Sequence, residues 1–310
     1  MTMKGNDIKN ILVPLDFSEA SLNSLETAIV LAKQHEAKII LLNVVDSSFM
    51  FAFKGVYYIS EKTIESIVDI SVRMLKPLLS DLKERHRLEC ASEIKVGLVP
   101  QSISKVAIDN EVDLIIMGSH GVSGFREFFI GTTAQNVVKI SSCPVLIIPP
   151  TQKWIHFKKI LFPLRPIDGQ IEKYDFLRKS IKPAEAAIDI LVLASTYDEK
   201  EKKVLQNLVK ELKKKSIKDN IKISGTLKIG FKMPQAVLKM SKSIDADMIA
   251  ITSLSNLDHK QIYIGPFEQH IVNHATMPVL SVKPKLAIPD SQVVVQQIHE
   301  SFPNKIAAFS

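Results

Sequence analysis

The chain has 310 residues, 46% hydrophobic and 24% charged, which excludes a disordered chain and suits two α/β units of about 150 residues each. A net charge of +7 favours a polyanionic partner, but aromatic residues are too sparse around the most basic stretch for base stacking, so no nucleic-acid partner is expected. Apolar runs such as residues 39–42 and 114–117 are far too short to span a membrane. Residues 1–10 are polar with no apolar signal segment, so the expected compartment is the cytoplasm.

In the first half, short apolar runs alternate with helical periodicity. Strands are expected at 9–14, 38–45, 91–97, 113–118 and 144–148, and helices at 19–35, 61–87, 101–110 and 132–141. Runs such as Lys38-Ile39-Ile40-Leu41-Leu42-Asn43-Val44-Val45 suit parallel strands buried on both faces. Strand and helix alternate throughout, which implies a doubly wound parallel sheet with right-handed crossovers. Cys90 and Cys143 sit at strand starts, without metal or redox spacing, and are expected as buried free thiols.

The fourth strand runs from Met117 directly into Gly118-Ser119-His120-Gly121. After nine intervening residues, Gly131-Thr132 opens a helix whose periodicity begins with Val137, Val138 and Ile140. Glycines there let the backbone turn and approach a ligand with no Cβ in the way. The helix start offers unpaired amides and a dipole that favour an anion. Ligands in open parallel sheets bind beyond the carboxyl ends of the strands. A phosphate cradle is therefore expected between this strand and this helix.

The second half repeats the first. Lys9-Asn10-Ile11-Leu12-Val13-Pro14-Leu15-Asp16 recurs as Lys158-Lys159-Ile160-Leu161-Phe162-Pro163-Leu164-Arg165. Asp113-Leu114-Ile115-Ile116-Met117 recurs as Asp247-Met248-Ile249-Ala250-Ile251, and Cys143-Pro144-Val145-Leu146 as Met277-Pro278-Val279-Leu280. The offset is 149 residues at the first match (Ile11 to Ile160) and 134 at the other two (Asp113 to Asp247). A repeat of this length is a whole domain. The expected units are residues 1–150, 154–284 and a tail, 285–310. Strands are expected at 159–164, 187–194, 221–229, 247–252 and 279–283. Residues 200–218 read as a solvated amphipathic helix, with Val204, Leu205, Leu208, Val209 and Leu212 on one face and lysines on the other.

The full pattern Gly118-x-x-Gly121-x9-Gly131-Thr132 resembles the ATP-binding signature of the universal stress protein family. The opening Ile11-Leu12-Val13-Pro14-Leu15-Asp16-Phe17-Ser18 and the closing Cys143-Pro144-Val145-Leu146-Ile147-Ile148 are similar to that family's first and last strands. The resemblance covers nearly the whole chain, as a tandem two-domain member. It implies two Rossmann-like sheets of five parallel strands in tandem, of the adenine nucleotide alpha hydrolase-like kind. It also implies ATP, with Mg2+, as the ligand. Carried over, Pro14 and Asp16 end the first strand where the nucleoside is reached, Val44 meets adenine, and Met117 and Gly118 approach the ribose. Gly121, Gly131, Thr132 and Thr133 would hold the phosphates, with His120 and Arg126 contributing charge. Antiparallel pairing between last strands is implied as well, here as an intramolecular pseudo-dimer, with a homodimer as the further option.

The second half departs from the pattern. Asp16 aligns with Arg165, Gly118 with Thr252, Gly121 with Ser255 and Thr132 with Pro266, while Gly131 keeps its counterpart Gly265. That copy is expected to be degenerate. Lys239-Met240-Ser241-Lys242-Ser243 matches the signature loop of class I aminoacyl-tRNA synthetases, but the repeat places it on a helix and their second motif is absent. His270 and His274 are four apart on a helix, with His259 as the candidate third metal ligand, and read as a polar helix face. The chain has no Walker lysine motif and no residue placed to activate water at a γ-phosphate. The leading expectation is a nucleotide-binding stress or signalling protein acting through a protein partner. The alternative is a slow ATP hydrolase or adenylyl-transfer enzyme on the same fold.

Overall fold

A computed structural model describes residues 8–47, 61–119, 131–150, 157–181, 185–194, 199–229, 233–253 and 265–284. The first half runs β1 (Asn10–Pro14), α1 (Glu19–His35), β2 (Lys38–Asp46), α2 (Glu61–Glu84), β3 (Cys90–Gly97), α3 (Val99–Asp109), β4 (Leu114–Gly118), α4 (Thr132–Ile140) and β5 (Val145–Ile148). The second runs β6 (Lys159–Leu164), α5 (Gln170–Ser180), β7 (Ala187–Ala194), α6 (Glu199–Asp219), β8 (Lys222–Ile229), α7 (Met233–Ser243), β9 (Met248–Thr252), α8 (Pro266–His274) and β10 (Val279–Val282). No described helix is long and apolar enough to cross a membrane.

Within each half the five strands are parallel, and the order β3-β2-β1-β4-β5 is repeated as β8-β7-β6-β9-β10. The strands are continuous apolar runs because both faces are covered. Ile11, Val13, Ile39, Leu41, Leu114 and Ile116 pack under the α1 and α2 layer. Leu12, Ile40, Leu42, Ile115 and Met117 pack under α3 and α4. The period-2 alternation of the strands thus divides one sequence run between two cores.

The repeat preserves a device at the start of each sheet. Asp113 Oδ2 accepts the backbone N–H groups of Lys9 (2.7 Å) and Asn10 (3.0 Å). Asp247 Oδ2 accepts those of Lys158 (2.9 Å) and Lys159 (2.8 Å) in the same way. The aspartate that opens the fourth strand of each half therefore fastens the first strand, whose leading amides would otherwise lack partners. This gives the recurring Asp a structural reason.

The two five-stranded sheets meet at their last strands, where the resemblance implied antiparallel pairing. β5 and β10 pair antiparallel, Leu280 opposite Leu146, so the halves share one ten-stranded sheet. Each edge strand covers the other, which removes two exposed edges. Gln135 Nε2 donates to Asn273 Oδ1 across the junction at 3.0 Å. Lys283 Nζ donates to the carbonyls of Lys139 (2.7 Å) and Ser141 (2.5 Å), placing a cation on the carboxyl end of α4. Val145 and Val279 are each only 2% exposed. Val145→Asp or Val279→Asp would bury an unpaired charge at a cost on the order of 3–5 kcal/mol. The expected result is a melting temperature lower by roughly 10 °C and an expanded scattering profile. Wild-type values in both variants would show that these strands do not carry the junction.

Candidate functional site

The strand order reverses between β1 and β4, the switch point at which such sheets take ligands. A cleft of about 380 Å³ lies there, beyond the carboxyl ends of the strands. Pro14 and Asp16 reach it from β1 and the turn after it, Val44 from β2, Met117 and Gly118 from β4, and Gly131, Thr132 and Thr133 from the start of α4. Eight of the expected site residues are thus brought to one cleft. His120, Gly121 and Arg126 lie outside the described residues.

Each wall has a local cause. Asp16 is set by a tight turn in which Phe17 adopts a left-handed φ of 63°, a conformation costing roughly 1–2 kcal/mol for a residue with a Cβ. Asp16 Oδ1 accepts the N–H of Ser18 at 3.0 Å and its hydroxyl at 2.5 Å. Ser18 in turn caps α1, its side chain accepting the Ser21 N–H at 3.3 Å. A buried polar link that the sequence did not reveal ties the strand ends together. Asn43 Nδ2 donates to the Leu15 carbonyl (2.7 Å), and Asn43 Oδ1 accepts from the Ser71 hydroxyl (2.8 Å). The cleft also takes Asp46 from the end of β2, and Val99 and Ile103 from α3. The only sequence signal for these was their place at strand and helix ends.

Two of these glycines also have contacts within the protein. A Cβ on Gly118 would lie 2.9 Å from the backbone of Ala20, so the approach of α1 requires a glycine here whatever the cleft holds. The second half keeps the close contact with the partners exchanged: Thr252 stands for Gly118, and Gly169 for Ala20. A Cβ on Gly169, at φ +81°, would lie 2.9 Å from Thr252 Cγ2. Gly131 does not offer its amide to the cleft, because that N–H donates to the Ser119 carbonyl at 2.7 Å. The amides left without an intrahelical acceptor are those of Thr132, Thr133 and Ala134.

In the second half the matching positions are occupied by side chains of the protein. Ala134 at the third position of α4 is replaced by Glu268 at the third position of α8. The Glu268 carboxylate, 2% exposed, sits against the start of α8, where a Cβ on Gly265 would lie 2.5 Å from its Oε2. Arg165, at the position of Asp16, donates to Glu268 Oε1 at 2.6 Å, and its guanidinium lies 4.1 Å from the Phe267 ring centroid. Beneath them Lys173 Nζ donates to the Pro163 carbonyl at 2.7 Å and stands 3.8 Å over the Phe162 ring. Burial, with the Arg165 charge adding to it, pushes the Lys173 ammonium well below the usual range.

The remaining motifs fall on helices and strand starts. Residues 239–243 lie on α7. The His270 and His274 rings stack at 4.2 Å, and among the described residues no three metal-ligating groups converge. His259 lies outside the described residues. Both cysteines are free and only half-buried; burial pushes the Cys143 thiol up to about 11.

The universal stress protein family matches residues 7–149. A universal stress protein of Methanocaldococcus jannaschii is 30% identical over 151 residues, 48% of this chain and 86% of that protein. The chain belongs to the universal stress protein family. A universal stress protein of Bacillus subtilis is 29% identical over 143 residues, 44% of this chain and 97% of its own length. In solved structures, a universal stress protein from Archaeoglobus fulgidus covers 88% of this chain and 98% of its own with a TM-score of 0.69 at 18% identity. A putative universal stress protein from Pseudomonas aeruginosa covers 89% and 94% with a TM-score of 0.60 at 14% identity. At those identities the two structures show a shared fold over both halves of the universal stress protein described here.

Proposed function

We propose that this universal stress protein binds one ATP, with Mg2+, in the first half, and acts through a nucleotide-dependent interaction with a protein partner. The observation that supports it is the convergence of Asp16, Val44, Gly118 and the start of α4 on one switch-point cleft. The residues fit the parts of a nucleotide. Val44, Val99 and Ile103 offer apolar surface to a base. Asp16 offers a carboxylate to ribose hydroxyls. The first amides of α4 and the Thr132 hydroxyl offer donors to phosphates at the positive end of the helix. Ala134 leaves open the place that a carboxylate takes in the other half. The second half is degenerate in this reading, because Glu268 and Arg165 satisfy one another where a phosphate and its donors would meet.

Titration calorimetry with Mg-ATP is expected to give a stoichiometry near one. A value near two would refute the single site. No heat, and no competition with a fluorescent ATP analogue at millimolar ATP, would sink the nucleotide reading.

A further inference from the structure

Asn43 is a buried polar residue in the apolar strand β2, between Leu42 and Val44. Leu42 packs under α3 and α4, and Val44 lines the cleft. Side chains alternate along a strand, so Asn43 points the other way, toward α2. Ser71 of α2, also buried, meets it there. Burying polar groups is costly unless they are paired. Here the pairing joins α2 to the backbone one residue before Asp16.

Asn43 Nδ2 donates to the Leu15 carbonyl at 2.7 Å. An amide whose nitrogen faces a carbonyl turns its oxygen the other way, and the Ser71 hydroxyl donates to that oxygen at 2.8 Å. The Leu15 N–H is held as well, donating to the Leu42 carbonyl at 2.7 Å. Both backbone polar groups of Leu15 are thus tied to β2, one by backbone and one by a side chain. Just beyond Asp16, Phe17 stands at its positive φ, a conformation that persists only where the surroundings impose it. Asp16 therefore sits between a clamped residue and a strained one, and the clamp helps to aim its carboxylate into the cleft.

The second half has the same sheet without this clamp. Pro14 pairs with Leu42 and Pro163 with Leu191, so the position of Asn43 is taken by Val192. There the backbone ladder simply continues, with Leu164 paired to Val192, and β6 is one residue longer than β1. Pro166 stands at the position of Phe17, and proline cannot take a positive φ. The amide link, the strained turn and the carboxylate are absent together, with Arg165 in the place of Asp16. The link thus accompanies the carboxylate rather than the fold.

We propose that Asn43, itself oriented by Ser71, is a positioning residue for sugar recognition: it holds the Leu15 carbonyl so that the Asp16 carboxylate meets the ribose hydroxyls. The inference rests on the ATP reading above. Through Ser71 it makes α2 a part of the nucleotide site that never touches the ligand.

The test compares ATP with 2′,3′-dideoxy-ATP, which keeps the base and phosphates and lacks both ribose hydroxyls, by calorimetry on the full chain with Mg2+. Wild type is expected to prefer ATP about tenfold, the worth of one hydrogen bond to a charged group. Asn43→Leu, similar in shape and without the donor, should bring that preference close to one by weakening ATP while leaving dideoxy-ATP affinity unchanged. Ser71→Ala should lower the preference about threefold, and it keeps the test open if Asn43→Leu fails to fold. In an Asp16→Ala background, neither substitution should weaken ATP further. Equal losses for the two nucleotides would make the link a support of the whole cleft, and an unchanged preference in every variant that folds would give it no part in binding; either result overturns the proposal. A wild type that binds both nucleotides alike also overturns it, by separating Asp16 from the ribose, and leaves the ATP reading standing. A wild type that binds neither nucleotide sinks that reading and the proposal with it.

Discussion

Gly131→Val is expected to remove ATP binding and leave the fold intact. Gly131 is the N-cap of α4 at φ −59° and ψ 146°, a backbone conformation open to any L-residue, so the substitution strains nothing in the chain itself. Its effect comes from where the side chain points. At the matching Gly265, a Cβ would lie 2.5 Å from the Glu268 carboxylate. An added side chain on this type of turn therefore projects into the place that an anion occupies at the start of the helix. In the first half that place is open to the cleft, and a branched side chain would exclude a phosphate from it. The expected loss is at least about a hundredfold in affinity, close to 3 kcal/mol, with Gly131→Ala losing less. Circular dichroism should match wild type and the melting temperature should fall only slightly, since exchanging a glycine N-cap for an aliphatic residue costs about 1 kcal/mol. Undiminished ATP affinity in the folded variant would place the phosphates elsewhere.

The sequence made the elements legible because parallel strands buried on both faces are continuous apolar runs. β6 and β7 coincide with their expected bounds, and the other strands differ by a residue or so at either end. The cleft residues were legible for a related reason: in this topology the ends of β1, β2 and β4 and the start of α4 must meet. What a linear reading misses is the object each residue faces. Gly118 signals a close approach, but only coordinates reveal that Ala20 makes it. Gly131 signals a helix start, but its amide is taken by the Ser119 carbonyl. Arg165 was readable as the loss of a carboxylate. Its partner Glu268, 103 residues away, was not, because nothing in a helix's third position declares a distant cation. The joined sheet was implied by the family resemblance and by two short apolar last strands; neither gives the register, which depends on tertiary approach.

The contrast between Ala134 and Glu268 yields a second large effect. Ala134→Glu should convert the first cleft into a likeness of the second. The new carboxylate would lie at the third position of α4, within reach of its own helix start, as Glu268 does in α8. There it would take the donors and the positive potential on which a phosphate depends, and it would repel the triphosphate directly. ATP affinity is expected to fall at least about a hundredfold. Ala134 is buried, so the single variant also leaves a charge short of partners and should lose stability. Asp16→Arg should then restore it, by recreating the Arg165–Glu268 pair in the first half. The double variant Asp16→Arg/Ala134→Glu is expected to melt higher than Ala134→Glu alone, with a coupling of about 1–3 kcal/mol in a double-mutant cycle, and still to bind no ATP. Ala134→Gln, with similar bulk and no charge, should bind more tightly than Ala134→Glu by a margin that shrinks as salt is raised. If Ala134→Glu binds ATP as wild type does, the start of α4 is not the phosphate site. If Asp16→Arg further destabilises it, the two halves do not share the geometry on which this exchange rests.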